Sequence, residues 1–287
     1  GLSHPRVAGY LPDYRVAAID PSIGSRLTDV VFFSIEPQPD QPLRHPQWEA
    51  TKPLLQSWRK QHGVRVTITL GGWNRSSGFP KIAATPTSRK AFGTEVLKLC
   101  QDYGLDGVDL DWEHPQNARE EADYAALIIE LKRVLKPHHL TVTAAVAGWQ
   151  NLPKAGWLAL DAVHLMAYDG PKQHSTYESA VADVQRLRDQ GMPADRIRLG
   201  LPFYGRGITE RDKALTYAEI VKKYAPSPEV NEVEGAYFNG PDLIRRKLKF
   251  TAEQKLNGVM IWEIGQDAPG DAGLLRVIDA HVRASQR

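Results

Sequence analysis

Eight short apolar runs, rich in β-branched residues, recur along the chain and are separated by longer segments of helical period. Several of these runs are unbroken rather than alternating, which is typical of parallel strands that are covered on both faces. The pattern therefore predicts eight buried strands. They are Arg6–Tyr10, Asp29–Ser34, Arg65–Leu70, Gly107–Asp111, Leu140–Ala145, Ala162–Ala167, Arg196–Leu201 and Gly258–Trp262.

The segments between these runs predict helices, because their apolar residues recur every three or four positions and a glycine or a proline follows the last turn. The clearest are Lys90–Tyr103, Asp123–Lys136 and Tyr177–Gln190. Strands that alternate with helices along a whole chain favour a closed α/β barrel, the (β/α)₈ TIM barrel, over an open sheet. In such a barrel the reactive groups lie at the carboxyl ends of the strands.

Composition limits the class of partner. The 287 residues contain no linker or low-complexity tract, so we expect one catalytic domain over residues 1–287. A net charge of +2 provides no field that would attract nucleic acid, and no apolar run is long enough to span a membrane. An uncharged polysaccharide fits this balance. The chain begins at Gly1, so any signal peptide is expected to have been removed.

Cysteine and histidine give little reason to expect a disulfide or a metal site. Cys100 is the single cysteine and falls on the apolar side of a predicted helix, where a buried thiol is the usual interpretation. His114, His138 and His139 have no third ligand at a suitable spacing, so no metal is expected.

Three carboxylates follow one another at alternate positions of the fourth predicted strand. Asp109, Asp111 and Glu113 would face the same side of an extended chain and point into the barrel. A solvated acidic strand end is the alternative, but Val108 and Leu110 interleave with the acids, and burying such charges without a use is costly. Crowded carboxyls raise the pKa of at least one member, which can then serve as a proton donor. Glu113, the last of the row, is best placed to reach a substrate.

The motif Asp106-x-x-Asp109-x-Asp111-x-Glu113 resembles the acidic signature of the family 18 glycoside hydrolases, and it lies on the fourth strand as it does there. Thr69 departs from the serine that is usual in the family, but it keeps a hydroxyl that could donate a hydrogen bond to Asp109. Other stretches that resemble the family are Gly9-Tyr10, Phe33, Thr69 to Trp73, Met166 to Asp169, Pro202 to Arg206 and Met260 to Glu263.

The resemblance implies a secreted chitinase that cleaves β-1,4-linked N-acetylglucosamine polymers with retention of configuration and without a cofactor. Glu113 would be the acid, and the acetamido group of the substrate would be the nucleophile. Asp111 would accept the acetamido N–H, Asp109 would tune Asp111, and Tyr168 would donate its hydroxyl proton to the acetamido oxygen.

Several further residues are expected to bind the sugar. Trp262 would form the hydrophobic floor, since the C–H faces of a pyranose pack well on an indole, although a core tryptophan is the alternative. Met166 and Asp169 carry over by motif. Weaker candidates for the cleft wall are the aromatic residues Tyr10, Phe33, Trp73, Trp149 and Tyr204, each of which could equally be a core aromatic. Arg206 is a further candidate for substrate binding, but Arg206 and Glu263 could equally form structural ion pairs.

Many family members carry an α+β module between the last two barrel strands. Here that stretch is Gly207–Asn257, and two predicted helices, near Thr216–Tyr224 and Gly240–Gln254, use most of it. We therefore expect no sizeable module, a shallow groove and endo-type cleavage by a monomer. Two other functions stay open: an endo-β-N-acetylglucosaminidase that trims N-linked glycans, and a chitin-binding lectin without activity.

Overall fold

The computed structural model describes residues 4–287. Eight parallel strands close into a barrel in which each strand pairs with its neighbour in sequence and the last strand returns to the first. This confirms the predicted TIM barrel, and the eight predicted runs match the strands to within two residues at either end. With strands numbered in chain order, the barrel strands are β1 Arg6–Pro12, β2 Asp29–Ile35, β3 Arg65–Gly71, β4 Gly107–Asp111, β5 Thr141–Ala147, β6 Ala162–Met166, β7 Ile197–Pro202 and β12 Gly258–Trp262.

Helices surround the barrel, and the three clearest helix predictions correspond to α3, α4 and α6. Their bounds are α1 Trp48–His62, α2 Phe79–Ala83, α3 Pro86–Tyr103, α4 Ala118–Leu135, α5 Lys154–Ala159, α6 Tyr177–Asp189, α7 Tyr217–Tyr224, α8 Pro241–Glu253 and α9 Leu274–Ala284. None of the helices within residues 4–287 combines the length and the apolar character that a membrane crossing requires.

Local sequence sets the ends of α3. The Thr85 hydroxyl accepts a hydrogen bond from the backbone N–H of Ser88, and the Ser88 hydroxyl accepts one from the backbone N–H of Thr85, so two free donors of the first turn are satisfied. Gly104 ends the helix at φ 62°, a left-handed conformation that glycine adopts without steric cost. Cys100 lies inside the apolar face of this helix and is 1% exposed, as the helical pattern predicts.

A small antiparallel sheet lies between the last two barrel strands. Its strands are β8 Tyr204–Gly207, β9 Ala214–Thr216, β10 Glu232–Val233 and β11 Ala236–Tyr237, in the order β10-β11-β8-β9. The predicted absence of a sizeable module is confirmed, and the two helices predicted here correspond to α7 and α8. The sheet itself was not predicted, because strands of two to four residues are too short to show a period.

Candidate active site

The acidic row runs from the barrel interior to its mouth. Asp109 and Asp111 lie on β4 and pair in register with Thr69 and Gly71 of β3, and Glu113 follows just beyond the strand. The exposed fraction of the side chains rises along the row, from 0% for Asp109 to 15% for Glu113. The three acids therefore lie on one side of the strand, with Glu113 nearest to solvent, as their alternation predicts.

Asp109 is fully buried and receives hydrogen bonds from four strands. Tyr10 Oη donates to Oδ2 at 2.6 Å, Thr69 Oγ1 donates to Oδ2 at 3.0 Å and Thr143 Oγ1 donates to Oδ1 at 2.7 Å. His164 Nδ1 lies 3.1 Å from Oδ1. Burial raises the pKa of Asp109, but His164 and these hydroxyl donors outweigh burial and lower it. Asp109 is therefore held as a carboxylate.

In contrast to Asp109, Asp111 and Glu113 have surroundings that raise their pKa values. Burial and then the negative charges of Glu113 and Asp109 raise the pKa of Asp111 well above its ordinary value. Burial, with a contribution from Asp169, also raises the pKa of Glu113. Two neighbouring buried carboxyls whose pKa values are both raised hold a proton more readily than isolated carboxyls do. Asp111 Oδ1 is buried without a hydrogen-bond partner among the described residues, so it can accept an N–H from a ligand.

The Tyr168 hydroxyl points at the same site. It donates to Met260 Sδ at 3.7 Å, and because a thioether is a weak acceptor, a ligand oxygen can replace it at little cost. Burial, followed by the charges of Asp169 and Asp111, raises the pKa of Tyr168 well above its ordinary value. The hydroxyl therefore stays protonated and available as a donor.

These groups open into a cleft of about 600 Å³ at the carboxyl ends of the strands. The candidates that line it are Phe33, Trp73, Asp111, Glu113, Trp149, Met166, Tyr168, Asp169, Arg206 and Trp262. Trp73 and Trp149 present exposed rings, at 69% and 59% of their surface. The cleft therefore combines a proton-holding centre with aromatic surfaces, which is typical of sites that bind sugar rings.

Trp262 forms the floor of this cleft. Its ring centroid lies 5.3 Å from that of Tyr10 and 4.9 Å from that of Phe33, with the Phe33 ring edge-on. These contacts fix the indole from below, while the residue itself stays partly exposed to the cleft. A fixed aromatic face at this place suits a pyranose ring.

Three of the sequence candidates are not among the residues that line the cleft: Asp109, Tyr10 and Tyr204. Tyr10 is 2% exposed and its hydroxyl serves Asp109. Tyr204 is 7% exposed and donates to Asp169 Oδ1 at 2.6 Å, where Arg206 Nη1 also binds at 2.9 Å. Tyr10 and Tyr204 therefore each donate a hydrogen bond to a carboxylate, Asp109 and Asp169 respectively, and do not form part of the cleft wall.

The structure also separates Glu263 from the cleft. Its side chain is 1% exposed and pairs with Arg15 Nε at 2.7 Å, which is the structural ion pair that the sequence left open. Within the part of the chain that the structure describes, no three histidine, cysteine or acidic side chains are arranged to hold a metal ion.

Comparison with known proteins agrees with this geometry. The sequence model described as "Glycosyl hydrolases family 18" matches residues 6–267. The chain belongs to this family. A similar protein, Chitinase 1 of Aphanocladium album, is 26% identical over 277 residues, which is 76% of this chain and 65% of the relative. The chain thus spans slightly less than two thirds of that protein.

Solved structures of family 18 chitinases superpose on almost the whole chain. The chitinase from the chitin utilization locus of Flavobacterium johnsoniae is 26% identical, with a TM-score of 0.88 and coverage of 99% of this chain and 96% of the other. A chitinase from Bacteroides thetaiotaomicron is 25% identical, also with a TM-score of 0.88, and the match covers 99% and 98% of the two chains. The barrel without a large module is therefore shared with family 18 structures.

Sequence reasoning missed four residues that line the family 18 cleft: Tyr14, Arg75, His114 and Ala147. Tyr14 lies in the short 3₁₀ helix Asp13–Ala18 that follows β1, and Arg75 lies in the loop after β3. Neither segment has a periodic pattern long enough to mark a side chain as facing the cleft. His114 was weighed only as a metal ligand. It follows Glu113 directly, and this adjacency was the one available sign of its position.

Proposed function

We propose that the protein is a chitinase that hydrolyses β-1,4 linkages between N-acetylglucosamine units with retention of configuration, using the acetamido group of the substrate as the nucleophile. The observation that carries this proposal is the Asp111–Glu113 pair, whose pKa values are both raised, at an aromatic cleft. The unpartnered Asp111 Oδ1 and the available Tyr168 hydroxyl lie beside it. These are the groups that an acetamido-assisted cleavage requires.

In the first step, Glu113 gives its proton to the glycosidic oxygen while the acetamido carbonyl oxygen attacks the anomeric carbon. The bond between that carbon and the leaving oxygen breaks, and a cyclic oxazolinium ion forms. Asp111 accepts the acetamido N–H and offsets the developing positive charge, and Tyr168 donates to the acetamido oxygen. In the second step, Glu113 takes a proton from water, which attacks the same carbon and restores the acetamido group.

Asp109 completes the proposed machinery without touching the substrate. Its negative charge is fixed by the donors around it, and it is one of the causes of the raised pKa of Asp111. This charge keeps a proton on the Asp111–Glu113 pair, where it is needed for leaving-group protonation. All steps use side chains of this chain and groups of the substrate, so the proposal requires neither a metal nor an organic cofactor.

A linear chito-oligosaccharide is the substrate that the cleft supports best. Trp262 offers the floor for the reacting sugar, and the exposed rings of Trp73 and Trp149 offer surfaces for its neighbours. The alternative of trimming branched N-linked glycans would need room for mannose arms. A chitin-binding lectin would need only the aromatic surfaces, and would leave the proton-holding pair without a use.

We also propose endo-type cleavage, by a monomer that acts outside the cell. The segment between β7 and β12 adds only a small sheet of short strands to the barrel mouth, so it forms no high wall that would hold a polymer end. On chitin polymer we expect early products of mixed length. Continuous release of dimer from one chain end would contradict the endo proposal.

The decisive test of the proposed function compares substrates and product stereochemistry. Wild-type protein is incubated with chitohexaose and with a bare N-linked glycan, and the anomeric protons of fresh products are followed by NMR. We expect cleavage of chitohexaose with the β-anomer formed first. Cleavage of the glycan alone would support the glycan-trimming alternative, and binding of chitohexaose without cleavage would support the lectin.

A further inference from the structure

His164 is a buried histidine that the mechanism above does not use. It lies on β6, is 1% exposed and faces the interior of the barrel below the cleft. Its other side borders a cavity of about 280 Å³ lined by residues near the amino ends of the strands, among them Asp29 and Arg198. His164 is not among the residues that line the cleft, so any influence on a substrate must pass through another residue.

The tautomer of His164 follows from its neighbours. Arg198, its register partner on β7, places Nη1 at 3.1 Å from His164 Nε2. Because a guanidinium can only donate, Nε2 must accept, and the proton of the neutral ring must then lie on Nδ1. Nδ1 is 3.1 Å from Asp109 Oδ1 and 2.9 Å from Tyr10 Oη, so this N–H is directed at Asp109 and its phenol partner.

This N–H completes the set of donors to Asp109. Each carboxylate oxygen then receives two: Oδ1 from Thr143 and His164, and Oδ2 from Tyr10 and Thr69. Each hydroxyl around this carboxylate already donates to it, so protonation of Asp109 would require at least one of these donors to give up its hydrogen bond.

We propose that His164, oriented by Arg198, is a positioning residue that keeps Asp109 ionised from the side of the barrel opposite to the substrate. The reacting pair Asp111–Glu113 then keeps the proton that Asp109 cannot take. This inference rests on the proposed function for its kinetic consequence, but the tautomer of His164 does not depend on it.

Other charged and titratable groups face this network from the surrounding strands and from α4, and the interpretation of any pH profile must include them. They are Arg6, Tyr10, Asp29, Asp111, Tyr124, Tyr168 and Arg198. Arg198 is the nearest cation, and its Nη1 lies 3.1 Å from His164 Nε2. The imidazole therefore acts toward Asp109 as a donor through Nδ1.

The kinetic test uses His164→Leu, His164→Asn and a matched pair of threonine variants. Removing a donor raises the pKa of Asp109, so the acidic limb of the kcat/KM profile should move to higher pH, by about one unit in His164→Leu. We expect kcat at the optimum to fall about tenfold with KM changed less than about twofold. His164→Asn keeps an N–H donor and should restore most of the loss.

Thr143→Val removes a second donor from the same oxygen and should shift the same limb in the same direction, even if His164→Leu fails to fold. Thr51→Val is the matched control. Thr51 is also buried, but its hydroxyl donates to Gln47 O at the start of α1 rather than to Asp109. If the acidic limb of the kcat/KM profile stayed at its wild-type pH in both His164→Leu and Thr143→Val, the inference would be overturned. It would also be overturned if the limb stayed there in a folded His164→Leu protein alone.

A spectroscopic measurement separates this inference from the proposed function. In ¹⁵N-histidine-labelled wild-type protein at the pH of the activity optimum, with the signal assigned by its loss in His164→Asn, we expect a ring that carries its proton on Nδ1 and leaves Nε2 unprotonated. An Nε2–H or doubly protonated ring would contradict the inference. If wild-type protein were inactive on chito-oligosaccharides but showed the Nδ1–H form, the proposed chitinase function would be contradicted and the tautomer of His164 would not.

Discussion

The Tyr168 hydroxyl is directed at a thioether sulfur, and this single contact distinguishes a substrate-binding tyrosine from a structural one. A tyrosine that served only the fold would be expected to bind an oxygen, because buried hydroxyls find strong acceptors. Here the partner is Met260 Sδ at 3.7 Å. The weak contact costs little to break when a substrate carbonyl approaches.

Tyr168→Phe should therefore reduce kcat by about 100-fold and leave stability almost unchanged, because one donor to the developing charge is lost while the fold loses only a weak hydrogen bond. Steady-state rates on a chromogenic chitobioside and urea unfolding measure the two effects. Tyr217→Phe, in α7 and outside the cleft, should leave the rate as in wild type. If Tyr168→Phe lost as much free energy of unfolding as it lost transition-state stabilisation, the assignment of Tyr168 as a donor to the substrate would be contradicted.

At this scale, the sequence revealed residues whose chemistry is local and missed those whose partners are distant. The alternation of Asp109, Asp111 and Glu113 needs only one strand and was readable. The donors to Asp109 come from β1, β3, β5 and β6, so the support that Tyr10 and His164 give could not be inferred before the barrel closed. The hydroxyl of Thr69 was expected to bind Asp109, and it lies at 3.0 Å from Oδ2.

At the scale of elements, α8 anchors the segment that follows β6 and carries Tyr168. Lys247 of α8 is fully buried, and its Nζ donates to the carbonyl oxygen and the hydroxyl of Ser175 at 3.1 and 2.9 Å. Ser175 in turn donates to Ala167 O at 2.7 Å. A buried amine therefore holds the backbone next to the proposed site.

Burial lowers the pKa of Lys247 to about 7 from 10.5, so in the range between these values the unfolded chain binds a proton that the folded chain does not. This lowers the free energy of unfolding as pH falls from 10.5 towards 7, and the effect is constant below that. Lys247→Met should remove this pH dependence. The free energy of unfolding of Lys247→Met minus that of wild type should therefore be roughly 3 kcal/mol larger at pH 7 than at pH 10.

Urea unfolding at the two pH values measures this difference. Lys249→Met, two residues further along α8 with a side chain that is 76% exposed, is the matched control and should show no such dependence. A pH-independent difference between Lys247→Met and wild type would show that the buried amine does not titrate as its environment predicts.

The elements that sequence reasoning placed and the ones it missed differ in length. Barrel strands of five to seven residues have enough apolar positions to be recognised. The strands of the small sheet, such as Glu232–Val233, are too short to have a period of their own and are recognised only by their pairing in the order β10-β11-β8-β9. Their contribution of Arg206 to the cleft was inferred from the family motif rather than from a strand pattern.

At the scale of the whole molecule, we propose that residues 1–287 fold as one domain. Strands from both ends of the chain complete the barrel, because β12 pairs with β1 and with β7. Cys100 is a probe of this unit, because it is buried on the apolar face of α3 and burial raises the pKa of its thiol to about 12. A neutral, inaccessible thiol reacts very slowly with disulfide reagents.

The thiol of Cys100 should therefore stay unlabelled at pH 8 in the native protein. As urea is added, labelling and tryptophan fluorescence should change with the same midpoint, because one cooperative transition exposes both. Labelling that precedes the fluorescence change would indicate a separately unfolding part and would contradict the single-domain proposal.

Glu113 is proposed to supply the proton for glycosidic cleavage in this family 18 barrel. The hydrolysis rate of a chromogenic N,N′-diacetylchitobioside tests this role when it is measured for wild type, for Glu113→Gln and for Glu253→Gln, an exposed control on α8. Loss of the acid should reduce kcat by about 10² to 10⁴, with chito-oligosaccharide binding retained and the control unchanged. A Glu113→Gln protein that hydrolyses this substrate at the wild-type rate would contradict the claim.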